Sequence, residues 1–212
     1  MLTVHHLENS RSQRILWMLE ELGMPYKVTR YERNKETMLA PPELRAVHPL
    51  GKSPVIVDGD DAGEPLTVAE TGAIIEYLVE KAGGTLGPPN ERQEALHYRH
   101  FLHYAEGSLM PPLLIKLVLG RIPLLGKTAQ RRLQPMIDVH LNFVESELSA
   151  RPWFAGDTFT AADIMMSFPL EAARDRGGLD GSRPATTAWL EKIHARPAYQ
   201  AALASGGPYK YV

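Results

Sequence analysis

Three short segments in the first third of the chain gather side chains suited to a small charged ligand: Asn9-Ser10-Arg11-Ser12, Gly51-Lys52-Ser53-Pro54-Val55-Ile56 and Glu70-Thr71-Gly72-Ala73-Ile74. The first offers hydroxyls, the second a lysine ahead of a proline, and the third a carboxylate beside a hydroxyl. A hydroxyl that donates a hydrogen bond to an anion favours its charged form, and a carboxylate pairs with an ammonium. In this order the three describe a pocket for a small anionic peptide.

The flanking pattern says what holds them. Leu2 to Leu7 reads as a strand, and Ile15, Leu19 and Leu22 then recur at helical spacing. Ser10 and Ser12 therefore fall where a strand hands over to a helix N-terminus, whose unpaired N–H groups and dipole favour negative charge. Pro54 cannot donate to a sheet ladder, so it suits the start of the strand Val55-Ile56-Val57. Glu70 opens a second amphipathic helix with Ile74, Leu78 and Ala82 on one face.

Purely structural roles compete for the same residues. Ser10-Arg11-Ser12-Gln13 fits a capping box, although a hydroxyl can cap with its oxygen and still donate its proton. Thr67-Val68-Ala69-Glu70 fits another capping box. Lys52 is either a carboxylate partner or a solvated loop lysine, and local sequence alone favours a trans Pro54.

With these residues in view, positions 1–82 resemble the thioredoxin-like domain of a cytosolic glutathione S-transferase. The first loop, His6-Leu7-Glu8-Asn9-Ser10-Arg11-Ser12, is most similar to that of serine-type bacterial and fungal members. The resemblance implies that Ser10, four positions before Arg14, stabilises the glutathione thiolate as the catalytic residue, with Ser12 and Asn9 as competitors. It implies a cis Pro54, with the backbone of Ser53 pairing with the cysteinyl part of glutathione. Glu70 and Thr71 would hold the γ-glutamyl end, threonine standing where serine is usual. Ser12 and Lys52 complete the expected glutathione contacts. A free cysteine-like thiol has a pKa of about 8.5, so a hydroxyl that stabilises the thiolate accelerates attack without itself being the nucleophile.

Composition sets the outer bounds. The chain of 212 residues is 44% hydrophobic, enough to bury a core as one large or two small domains. A net charge of -2 gives no global pull toward nucleic acid or an anionic membrane. The longest apolar stretch, Leu113 to Leu119, is broken by Lys116 and too short to span a bilayer, and no secretory pattern opens the chain. A cytoplasmic location is expected, with neither nucleic acid nor membrane as partner. Cysteine is absent, so any sulfur chemistry must use sulfur brought by the ligand.

Glycine and proline cluster at 83–90 and predict a linker between domains spanning 1–82 and 91–212. Before it, strands at Tyr26 to Tyr31 and around Val55 and Leu66 alternate with helices. After it, Glu91 to Leu119, Lys127 to Ser149, Ala161 to Arg174, Pro184 to His194 and Ala198 to Ala204 all read as helices. The expected fold is an α/β thioredoxin-like domain followed by an all-α domain, which the resemblance covers over nearly the whole chain.

Within the helical half, Thr160 and Asp163 have capping-box spacing, flanked by Phe159 and Ile164 as a hydrophobic staple, and read as a folding device. His97, His100 and His103 recur at three-residue steps, but no cysteine or carboxylate pattern accompanies them, so no metal is expected. Tyr104 to Pro112 is similar to the bend that faces the glutathione sulfur in related proteins. Tyr104, Met110 and Leu114 are accordingly expected to line an apolar second-substrate site, although core packing explains Met110 and Leu114 equally well. The resemblance implies a homodimeric glutathione transferase of detoxifying type, using glutathione as co-substrate and an apolar electrophile as its partner. A glutathione-dependent peroxidase or disulfide reductase, and a non-catalytic ligand carrier, are the competing readings.

Overall fold

β1 (Leu2–Leu7) is the strand around which the first half is assembled. It pairs in parallel with β2 (Tyr26–Tyr31), Leu2 opposite Tyr26, and antiparallel with β3 (Val55–Asp58), Val4 opposite Ile56. β4 (Leu66–Ala69) adds antiparallel to β3, so the sheet order is β2-β1-β3-β4. The parallel pair needs a crossover, and α1 (Gln13–Glu21) supplies it. α2 (Leu44–Val47) is a single turn that the sequence pattern did not reveal, and α3 (Thr71–Lys81) follows β4 directly. The computed structural model describes residues 1–59 and 64–212.

Ile15 through Leu19 on α1 are all fully buried, which one apolar stripe cannot explain. The additional cover comes from α9 (Pro197–Gly206). Trp17 meets Tyr199 edge to face, with ring centres 5.1 Å apart, and Arg196 makes a bidentate pair with Glu21 at 2.5 and 2.8 Å. Arg30 of β2 donates Nε to the Ser205 carbonyl at 3.0 Å. The chain accordingly divides into one unit of Met1–Gly87 with Ala195–Lys210 and Val212, and another of Pro88–His194 with Tyr211. The sequence reading kept 91–212 together; the amphipathic pattern of α9 shows that it is a helix but not which partner it covers.

The second unit is all helical: α4 (Arg92–Tyr104), α5 (Met110–Leu119), α6 (Gly126–Ala150), α7 (Ala161–Ala172) and α8 (Pro184–His194). Every residue of α7 is buried, Asp163, Ser167 and Glu171 included. The Thr160 box forms: Asp163 Oδ2 accepts from Thr160 N–H at 3.0 Å, and Asp163 Oδ1 from Phe154 N–H at 3.0 Å and Trp189 Nε1 at 3.4 Å. Ala105–Leu109, between α4 and α5, widens into a π-turn. Pro111 and Pro112 have no N–H with which to continue the α-helical ladder, and the widened turn precedes them.

Candidate functional site

The three polar segments come together at one end of β1. Leu7 N–H is shared between Ser12 Oγ at 3.3 Å, from the first segment, and Ser53 Oγ at 3.2 Å, from the second. Ser53 Oγ in turn donates to the His5 carbonyl at 2.8 Å. The third segment is tied in by the buried Arg14, whose Nη2 donates to Thr71 Oγ1 at 3.3 Å. The Ser53–Pro54 peptide bond is cis, as the resemblance implied.

Ser10 does not cap α1 with its side chain. The N-cap is Ser12, without a side-chain cap bond, and the Gln13 amide is buried with neither Nε2 nor Oε1 partnered among the described residues. The Ser10–Gln13 capping box is therefore absent. Ser10 Oγ instead stands 2.8 Å from Ser12 Oγ and accepts from Ser12 N–H at 3.3 Å.

His6 backs this cluster. Burial, helped by the Arg30 charge, lowers the His6 pKa to about 4, so the ring is neutral at physiological pH. Which ring nitrogen of His6 carries the proton sets its role toward Ser12. Ser12 Oγ lies 2.9 Å from His6 Nδ1 and 3.3 Å from the Leu7 carbonyl oxygen, to which it also donates. When Ser12 donates to His6 or to the Leu7 carbonyl, its oxygen accepts from Ser10 and Ser10 is the donor in that pair. The Ser10 proton can turn from this neutral acceptor to an anion, and a charge-assisted bond is roughly twice as strong.

Exposure separates the competing first-loop residues. Ser12 is 0% exposed and already has His6, Ser10 and Leu7 around its hydroxyl, whereas Ser10 keeps 6%. Asn9, at φ 50°, turns Oδ1 to the Lys210 N–H at 2.8 Å. Lys52 is exposed in its loop. The hydroxyl of Ser53 is committed to β1, so any peptide contact at this residue falls to its main chain.

Glu70 occupies φ 73°, ψ 126°, a conformation that L residues rarely adopt, at the junction of β4 and α3. Thr67 lies inside β4, so the Thr67–Glu70 capping box does not form. Glu70 is itself the N-cap, exposed and without a side-chain cap bond, and the first N–H groups of α3 beside Thr71 are left to other acceptors. This end of the unit thus presents a carboxylate, uncapped helix N-termini and a buried guanidinium, a set that can hold a zwitterionic amino acid end. Arg14 and His6 were not singled out by the sequence; both lie on buried faces where their types read as surface residues, and only tertiary contacts show their roles.

In the helical unit Tyr104 is half-buried, its hydroxyl 2.6 Å from His140 Nδ1, and burial pushes its phenol pKa upward. Met110 is buried in the core, and Leu114 is exposed. His97 lies against Arg151 and Glu147, while His100 stacks on Tyr104. Among the described residues no three His, Cys, Asp or Glu side chains are grouped to hold a metal.

The sequence matches two family models, glutathione S-transferase N-terminal domain over residues 10–81 and C-terminal domain over residues 113–197. The chain belongs to the glutathione S-transferase family. Glutathione S-transferase 3 of Schizosaccharomyces pombe is 34% identical, covering 93% of this chain and 85% of its own. The disulfide-bond oxidoreductase YfcG of Escherichia coli is 29% identical, over 96% of this chain and 94% of its own. Among solved structures, a glutathione S-transferase from Actinobacillus pleuropneumoniae superposes with a TM-score of 0.87 at 32% identity, covering 100% of this chain and 95% of that one. A family member from Pseudomonas fluorescens with two glutathione bound superposes with a TM-score of 0.78 at 25% identity, covering 95% and 92%. The thioredoxin-like unit and the all-helical unit are thus those of the family fold.

Proposed function

We propose that this family member is a serine-type glutathione transferase, in which the Ser10 hydroxyl holds the glutathione sulfur as thiolate for attack on an apolar electrophile. The observation that carries this reading is the chain of contacts His6–Ser12–Ser10, in which Ser10 is the outermost and the less buried hydroxyl, just before the N-terminus of α1. Turning the Ser10 proton from Ser12 to a thiolate exchanges a neutral bond for a charge-assisted one. The difference is about 1–1.5 kcal/mol, or roughly one unit of thiol pKa. Catalysis comes from that depression together with proximity, not from a protein nucleophile.

Glu70 would pair with the γ-glutamyl ammonium and the α3 N-terminus at Thr71 with its carboxylate. The Ser53 main chain would pair with the cysteinyl unit, and Lys52 with the glycine carboxylate. Ser12 would border the bound sulfur behind Ser10, contributing packing more than charge stabilisation. Tyr104, Met110 and Leu114 remain the proposed electrophile contacts, and Leu114 has the surface for it. A homodimer in the cytoplasm, with a detoxifying role, completes the proposal. Met136, Val139 and Phe143 on one exposed face of α6 support an interface.

The resemblance to a disulfide-bond oxidoreductase supports a second reading, in which the same thiolate attacks a mixed disulfide. Steady-state assays with an aryl halide and with a glutathione mixed disulfide separate the two. Turnover of the aryl halide supports the transferase; turnover of the disulfide alone transfers the same site to a reductase. Glutathione binding without either turnover would leave a carrier.

A further inference from the structure

We propose that the hairpin tip joining α5 to α6 is a docking surface for an anionic membrane, inserting Ile122, Leu124 and Leu125 between flanking cations. The tip carries four consecutive apolar residues, Ile122-Pro123-Leu124-Leu125, all exposed; Leu124 is 97% exposed and Leu125 74%. Such a run on a surface is unfavourable unless something covers it. Its geometry is specific. Leu125 N–H donates to the Pro123 carbonyl at 2.7 Å with Leu124 at φ 64°, a tight γ-turn that L residues avoid and that projects the leucine outward. Below it the legs close so tightly that a Cβ on Gly126 would lie 2.1 Å from the Leu119 carbonyl oxygen.

Charge names the occupant. From Gly107 to Ile137 the chain contains no Asp or Glu, while Arg121, Lys127, Arg131 and Arg132 are exposed around the tip. Among the described residues none of these four is in an ion pair. Since the whole chain is slightly acidic, the cations of the tip are outweighed by an excess of anions elsewhere, and the tip is a local cationic patch. Apolar residues at the apex with cations on the shoulders match the depth order of a bilayer interface, acyl boundary first and lipid phosphate next. A second copy would bring the same cations face to face. No described helix is long and apolar enough to cross a membrane, so the attachment is interfacial and reversible. The net charge, averaged over the chain, conceals this segregation.

The test is cosedimentation of the full chain with phosphatidylcholine vesicles made with and without phosphatidylserine. Native protein should pellet with the phosphatidylserine vesicles and be released by high salt. Leu124→Asp combined with Leu125→Asp, and separately Arg131→Glu with Arg132→Glu, should each lower the partition coefficient by about tenfold or more. Both variants should keep native glutathione binding and melting temperature, which shows that they fold. Equal partitioning with and without phosphatidylserine, or variants that bind like the native chain, would overturn the proposal. So would binding to poly-glutamate but not to vesicles, which would point to an acidic protein partner. A change in sedimentation of the free protein on Leu124→Asp would instead make the tip a contact between copies, and also overturn it.

Discussion

The hydroxyl oxygens of Ser10 and Ser12 stand 2.8 Å apart, with the neutral His6 ring 2.9 Å behind Ser12 and Ser10 the less buried of the two. The two serines are therefore not interchangeable. Ser12→Ala takes an acceptor from Leu7 N–H and a partner from His6, and should lower stability by about 1–3 kcal/mol in denaturant unfolding. The thiol pKa of bound glutathione should stay depressed in that variant, because the Ser10 proton loses only its competing acceptor. A thiol pKa restored to its free value in Ser12→Ala would reverse the assignment.

Glu70 holds an unfavourable backbone conformation with an exposed carboxylate, which fits a role at the ligand more than in the fold. Glu70→Gln should weaken glutathione binding by roughly tenfold to a hundredfold, the equivalent of one charge-assisted bond. Cysteinylglycine lacks the γ-glutamyl group and should bind both proteins alike in isothermal titration. An equal loss for both peptides would place Glu70 in the fold instead.

Gln13 buries an amide with no described partner, and its Oε1 lies where a Cβ on Gly206 would fall, at 2.7 Å. Replacing it by a shape-similar apolar side chain removes a desolvation cost and loses no hydrogen bond. Gln13→Met should raise stability by about 1 kcal/mol in thermal melts; a drop of that size would show that the amide is satisfied.

Asp163 sits wholly buried among the backbone N–H groups of Phe154 and Thr160 and the Trp189 indole. Burial outweighs these donors and raises its pKa to about 6. The sign follows from linkage: a raised acid favours the folded state when protonated, so its contribution is full below about pH 4 and is lost as pH rises through 6. Asp163→Asn should flatten this part of the stability-against-pH curve. Asp163→Ala, which strands several buried donors, should lower stability at neutral pH by about 3 kcal/mol or more, with glutathione affinity unchanged in the folded fraction.

Much of this was legible in the sequence because local rules wrote it. β1, β2 and α8 fall where alternation, periodicity and proline placed them, and Thr160 with Asp163 announced its cap by spacing alone. What stayed hidden depends on distant packing. The Ser10–Gln13 pair has capping-box spacing, yet α9 covers Gln13 and the Ser12 hydroxyl turns to His6, so the local motif loses to tertiary contacts. His6 and Arg14 gave no signal, since nothing along the chain marks which histidine or arginine will be buried. Lys52, Ser53, Glu70 and Thr71 could be named as candidates from the family pattern, but the strained φ of Glu70 and the bond from Arg14 to Thr71 appear only in three dimensions.

The central claim is that the Ser10 hydroxyl stabilises a thiolate. Its most direct test is a pH titration of bound glutathione by thiolate ultraviolet absorbance, on the native protein and on Ser10→Ala. The native complex should titrate roughly one unit below free glutathione, and the variant should return to the free value. A depression of equal size in Ser10→Ala would contradict the account and move the stabilisation to the helix terminus.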